Sequence, residues 1–109
     1  MITVYHYDEL SKEEAEKILN KLKRFGNDFY QHVKRDYYSD LNDYEDENYG
    51  RSLHEAVSDE IIDLFIDFRD YDDEVIDIIE NVLTNDVIDG KYKNIKELEM
   101  EYNSYVSLL

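Results

Sequence analysis

The chain of 109 residues has no cysteine, no proline and no tryptophan, and only three glycines. Without cysteine there are no disulfides, no thiolate metal sites and no thiol nucleophile. With no proline, and glycine only at positions 26, 50 and 90, no Pro-rich or Gly/Ser-rich linker divides the chain. A glycine-rich phosphate loop is equally absent. No apolar run approaches the roughly 18 residues of a membrane span, and no basic-then-apolar start resembles a signal peptide. Positive charge is scarce too, with 12 Lys and Arg against 28 Asp and Glu, a formal net charge of −16. Nucleic acids and anionic membranes repel such a polyanion, so neither is expected as a direct partner. The 42% of hydrophobic residues can still supply one core, so a single acidic domain over 1–109 is expected. Composition thus points to a cytoplasmic protein that binds something basic.

The charge is not spread evenly. Residues 1–34 carry six bases and six acids, and residues 90–109 carry three of each. The segment 35–89 holds 19 acids against Arg35, Arg51 and Arg69, so the whole excess lies in the middle of the chain. A surface that only confers solubility would intersperse both signs. Concentration in one segment is what an interaction surface needs.

Five segments have helical apolar spacing, which predicts a mainly α fold of about five helices. Ser11 and Glu14 form a capping box before Ala15, Ile18, Leu19, Leu22 and Phe25, with Gly26 as the stop. A second helix is expected from about Asp28 to Leu41, carrying Phe29, Tyr30, Val33 and Tyr37. An exposed acidic loop follows, from Asn42 to Gly50. Ser52 and Glu55 read as a second capping box, opening a helix with Val57, Ile61, Leu64, Phe65 and Phe68 on one face. A fourth helix starts near Asp72 and Asp73 and carries Val75, Ile76, Ile78, Ile79, Val82 and Leu83. Residues 84–93 read as a break with Gly90 at a turn. Asn94 and Glu97 then cap a last helix with Ile95, Leu98, Tyr102, Tyr105, Val106 and Leu109. The opening Ile2-Thr3-Val4-Tyr5-His6-Tyr7 has strand character. Val87-Ile88 or Tyr92 offers it only a weak partner, so a short N-terminal β element stays an option.

Catalytic and metal motifs fail on spacing. An EF-hand loop with Gly50 sixth would place Tyr49 fifth and Ala56 twelfth, and one on Gly90 would place Val87 third and Lys96 twelfth. The residues three before His32 and His54 are Phe29 and Arg51, so no Glu-x-x-His pair serves a di-metal bundle. No Gly-x-Ser-x-Gly elbow frames a nucleophile. His32 and Asp36, four apart, read as a polar pair beside the core stripe. No enzymatic activity, cofactor or metal is expected.

The strongest constellation is acidic. On the third helix Asp59, Glu60, Asp63 and Asp67 fall opposite the apolar arc, with Asp70 in line. Asp73, Asp77 and Glu80 repeat the pattern on the fourth. Like charges four apart cost a few tenths of a kcal/mol per pair, and Asp is a poor interior helix former. Structure alone does not favour the choice. Loop residues Asp43, Tyr44, Glu45, Asp46, Glu47 and Tyr49 add acids for attraction and rings for short-range contact. Duplex DNA carries about one charge per 1.7 Å, so sixteen charges correspond to about 27 Å of duplex. That is close to the width of a domain of ~100 residues.

Small, acidic, cysteine-free helical chains rich in Asp and Tyr resemble anti-defence proteins of phages and mobile elements. These include DNA-mimic antirestriction proteins and anti-CRISPR inhibitors, and the resemblance is strongest over residues 35–89. It implies a stoichiometric inhibitor that blocks the nucleic-acid groove of a CRISPR effector or restriction enzyme in the host cytoplasm. The alternative is an immunity protein or antitoxin that neutralises a basic toxin. A third reading is an assembly protein, with Ile62 and Ile66 as either extra core or a homodimer seam.

Crowded like charges repel one another, and salt with a Debye length near 8 Å screens them. The thermal midpoint, followed by circular dichroism at helical wavelengths, is therefore expected to rise from low to moderate salt. A midpoint that falls with added salt contradicts this.

Overall fold

A computed structural model describes residues 10–43, 49–66 and 72–109. Among them all regular structure is helical. Helix α1 spans Lys12–Lys21 and runs into a 3-10 turn, Leu22–Phe25. Helix α2 spans Asn27–Asp43 and α3 spans Tyr49–Phe65. Helix α4 is continuous over 73–88 and consists of Asp73–Ile78, a π-helical turn at Ile79–Leu83, and Thr84–Ile88. Helix α5 spans Ile95–Val106. The expected mainly α architecture of about five helices is what the chain adopts. The strand option at 2–7 lies outside the described residues.

Three helix starts follow their sequence signals. Ser11 Oγ accepts the Glu14 N–H at 3.2 Å and Asp72 Oδ1 accepts the Glu74 N–H at 2.9 Å. Asn94 Oδ1 accepts the Glu97 N–H at 3.0 Å, while Glu97 Oε1 reaches back to the Lys93 N–H at 3.1 Å. Each cap satisfies donors that the helix itself leaves open. Gly26 ends the first element with φ +105, a conformation that a side chain disfavours.

The other boundaries moved because packing overrides local signals. The pair Ser52 and Glu55 does not cap α3, which starts three residues earlier. Ser52 is inside the helix, 1% exposed, and its hydroxyl has no partner. Glu55 Oε1 instead accepts from Arg51 Nε at 3.2 Å. The early start brings Gly50 and Leu53 into the core alongside Ala56 and Val57. Asp43 and Tyr49 accordingly belong to α2 and α3 and not to the loop; the rest of that loop, 44–48, lies outside the described residues. Residues 84–88 continue α4, since Thr84, Val87 and Ile88 extend the apolar face of Leu83. The chain breaks only after them, at Gly90.

Helix α3 is the centre. It packs against α1, α2 and both the π turn and the last turn of α4, and it buries Leu53, Ala56, Val57, Ile61 and Ile62. Ile62 is thus core and not a dimer seam, and Ile66 is half-buried against the same cluster. Leu64, expected in the core, is 45% exposed, since it lies near the C-terminal end of α3. Phe65 beside it stacks on Tyr102 of α5 with ring centroids 4.6 Å apart. Leu109, placed on the α5 stripe by spacing, is exposed beyond the last helical turn.

The π turn has a local cause. The Thr84 N–H bonds to the Ile79 carbonyl five residues back, and the Thr84 hydroxyl donates to the same oxygen at 2.8 Å. With its proton so used, Thr84 Oγ1 is the acceptor for Ser58 Oγ, also 2.8 Å away. This buried polar link joins α4 to α3 with its donors accounted for.

Two substitutions separate these roles. Ser52→Ala is expected to be neutral or stabilising in chemical denaturation, because it removes a buried hydroxyl without a partner. A genuine N-cap would lose about 0.5–2 kcal/mol. Leu53→Ala, at a fully buried site, should cost about 2–5 kcal/mol.

Candidate functional site

On α2, Asp36 and Asp40 stand four residues apart, one helical turn, half-buried along the flank of the Val33 and Tyr37 stripe. On α3, Glu55, Asp59 and Asp63 repeat the same interval. The packing of α2 on α3 sets the two rows side by side. Partial desolvation pushes the carboxyl of Asp59, a surface residue, up to about 6, and the charges of Asp36, Asp40, Asp63 and Glu55 add to the rise. Four carboxylates on two helices thus bear on Asp59, and the five together form one acidic face. Arg35 lies 3.5 Å from Asp36, and Arg51 lies 3.2 Å from Glu55. Both pairs are exposed, so each compensates little of this charge.

Behind this face Glu60 is buried at the α2–α3 seam, 7% exposed. Its Oε1 meets His32 Nδ1 at 3.1 Å. Burial pushes the Glu60 carboxyl up, and the hydrogen bond to His32 draws it part of the way back. Glu60 is therefore not a member of the exposed ladder. On the helical wheel it stands about 90° from the middle of the apolar arc, and α2 covers that flank. His32 reaches across helices to Glu60, where its spacing pointed to Asp36.

A groove of about 380 Å3 opens between α3 and α4. Arg51, His54, Glu55, Ser58 and Asp59 line it from α3, and Glu80 and Asn81 line it from the π turn. His54 is held below its ordinary range, chiefly by burial; contacts with Asn85 and with the Glu80 backbone and charge oppose that shift. The ring is accordingly uncharged near neutral pH. Among the described residues no three His, Asp or Glu side chains converge as metal ligands, and no helix is long and apolar enough to cross a membrane.

Of the residues the sequence singled out, Asp59 and Asp63 are exposed on the shared face. Glu80 joins Asp59 at the groove. Asp73 and Asp77 are exposed on α4 but enter neither the α2–α3 rows nor the groove lining. Asp43 belongs to α2, and Tyr49, at the start of α3, is half-buried against the core. Tyr44, Glu45, Asp46, Glu47, Asp67 and Asp70 lie outside the described residues. Sequence reasoning missed Asp36, Asp40 and Glu55. Their four-residue spacing was a usable signal, but it needed the knowledge that α2 and α3 are neighbours. No protein-family model, curated protein or solved structure matches this chain.

The raised Asp59 pKa has a fixed sign. The folded state binds this proton more tightly than the unfolded chain, so its contribution to stability falls as pH rises from about 3.8 to about 6. Glu60 acts in the same direction, whereas His54, with its lowered pKa, loses stability as pH falls below about 6.5. Asp59→Asn isolates the first effect. Its stability relative to the parent chain is expected to increase between pH 4 and pH 7 in urea titrations, and a pH-independent difference would rule the effect out.

Proposed function

We propose that the protein is a stoichiometric inhibitor whose acidic face takes the place of nucleic-acid phosphates on a basic partner. That partner is a nucleic-acid-binding defence nuclease, a CRISPR effector or a restriction enzyme, met in the host cytoplasm. Inhibition is by occupancy, without turnover, cofactor or metal. The observation that carries this reading is the row of five carboxylates on α2 and α3, with Asp59 raised to about 6 partly by the other four. A protein in isolation gains nothing from holding like charges together, whereas a basic groove relieves that repulsion on binding. The whole net charge of −16 belongs to the segment 35–89, which contains all five carboxylates of this face. A groove built to grip phosphates with Lys and Arg offers the matching charge.

The test is inhibition of DNA cleavage by purified CRISPR effectors and restriction endonucleases, with binding rates measured alongside. Changing Asp36, Asp40, Asp59 and Asp63 together to Asn should lower the association rate at least tenfold at low salt, and less at high salt. The thermal midpoint should hold or rise, because the repulsion among these carboxylates is removed. Duplex DNA should compete with the protein for the nuclease. Inhibition that ignores both the quadruple variant and excess duplex would overturn the mimic reading. Such a result would favour an immunity-type contact beside the active site of a toxin.

A further inference from the structure

Helix α5 carries more apolar surface than the core beneath it covers. Along its inner stripe Leu98 is fully buried, and Tyr102, Tyr105 and Val106 are half-buried against the core. Leu109, just beyond the last turn, is 61% exposed. The stripe thus runs off the core toward its C-terminal end. Phe65 stacks on Tyr102 there, and its neighbour Leu64 stands exposed. Among the described residues five large apolar side chains are exposed, and four of them, Leu64, Met100, Leu108 and Leu109, belong to the end of α3 or to α5 and the residues after it. Apolar exposure gathered in one place marks a contact surface, whereas single exposed residues are ordinary.

The same stretch is the least charged part of the chain. Residues 102–109 contain no Asp, Glu, Lys or Arg, and no other stretch goes as long without one, although 37% of the residues are charged. The segment 90–109 as a whole is neutral, with three lysines and three glutamates. On the wheel of α3, Phe65 stands about 160° from Asp63. Helix α5 therefore rests on the side of α3 away from the acidic strip.

We propose that this stripe is the seam of a homodimer, in which Leu64, Tyr102, Tyr105, Val106 and Leu109 pack against the same residues of a second copy. Two chains of −16 repel one another across any surface that carries the excess, and such repulsion ordinarily keeps a protein monomeric. A second copy can reach packing distance where that charge is missing, and residues 102–109 meet this requirement. A basic partner finds nothing here to pair with and belongs to the acidic face. A two-fold axis sets the stripe against itself, so one surface serves both copies. Tyrosines at the centre, with the uncharged Asn103, Ser104 and Ser107 beside them, have the make-up of an interface core and its polar rim. Ile62 cannot serve as the seam, since it is buried in the core. The dimer stands independently of the inhibitor reading, and it leaves an acidic face outward on each copy.

The experiment is sedimentation equilibrium of the full chain, from low micromolar to near-millimolar concentration. The mass is expected to rise toward twice the chain mass of 13.2 kDa. Dimerisation should tighten from low to moderate salt, because screening weakens the repulsion between copies. Leu64→Lys with Leu109→Lys, both at exposed positions, should weaken it at least tenfold. That variant lowers the net negative charge by two, and so does Asp73→Asn with Asp77→Asn, at exposed positions on α4. The α4 variant should dimerise as tightly as the parent chain or more tightly, whereas relief of repulsion alone would strengthen both. Circular dichroism melts check that each variant folds, and Leu109→Lys alone gives the same comparison if the double variant melts early. A monomer at every concentration and salt, or a dimer that the lysine substitutions leave intact, overturns the seam.

Discussion

The structure depends on a conflict resolved within α3. This helix has to fill the centre of the core and also carry acids at a regular four-residue interval. Burial takes Leu53, Ala56, Val57, Ile61 and Ile62, together with Ser58 and Glu60. A narrow outer strip is left, and Glu55, Asp59 and Asp63 share it. Because the strip is narrow, its charges are close to one another and close to those of α2. Desolvation and repulsion then act on the same groups, as the raised Asp59 shows. A surface helix with a wide polar face would have diluted both effects.

The two buried polar arrangements follow from the same geometry. Glu60 falls on the flank that α2 covers, and it stays in the core only because His32 meets it there. Ser58 falls on the flank that α4 covers, and Thr84 meets it there. One link joins a histidine to a carboxyl and is half-exposed at its histidine end, and the other joins two hydroxyls and is closed. They hold α2 and α4 to opposite flanks of α3, and the groove and the acidic face lie along the remaining strip. The fold and the candidate site are one arrangement of α3.

Much of this was legible in the sequence wherever a local signal decided the matter. The caps at Ser11, Asp72 and Asn94, the stop at Gly26 and the core stripes of α1 and α2 follow directly from spacing and side-chain chemistry. What was not legible depended on which helix covers which flank. Ser52 and Glu55 have the spacing of a cap, yet Leu53 and Gly50 are worth more to the core inside a longer helix. Glu60 and Asp63 look alike on a wheel until α2 is placed beside one of them. Thr84 reads as a breaker after Leu83, and only its partner Ser58, distant in sequence, explains why the helix continues. Asp36 and Asp40 looked unremarkable alone and became part of a face only through their neighbours on α3.

The π turn at Ile79–Leu83 also makes the length of the chain a structural variable. It holds one residue more than the regular helical path from Ile79 to Thr84 would need. Taken up in the wider turn, that residue leaves the helix after it in phase with the helix before it. If it were lost, the turn would close as ordinary α-helix and Thr84, Val87 and Ile88 would stay on the core side. If instead the turn straightened to α-helix at its present length, the following residues would rotate by about 100° around the axis. Thr84 would then turn away from Ser58, and Val87 and Ile88 would leave the core. A gene for this protein can therefore shed a codon within this turn with less damage to the core than a change that only tightens the turn.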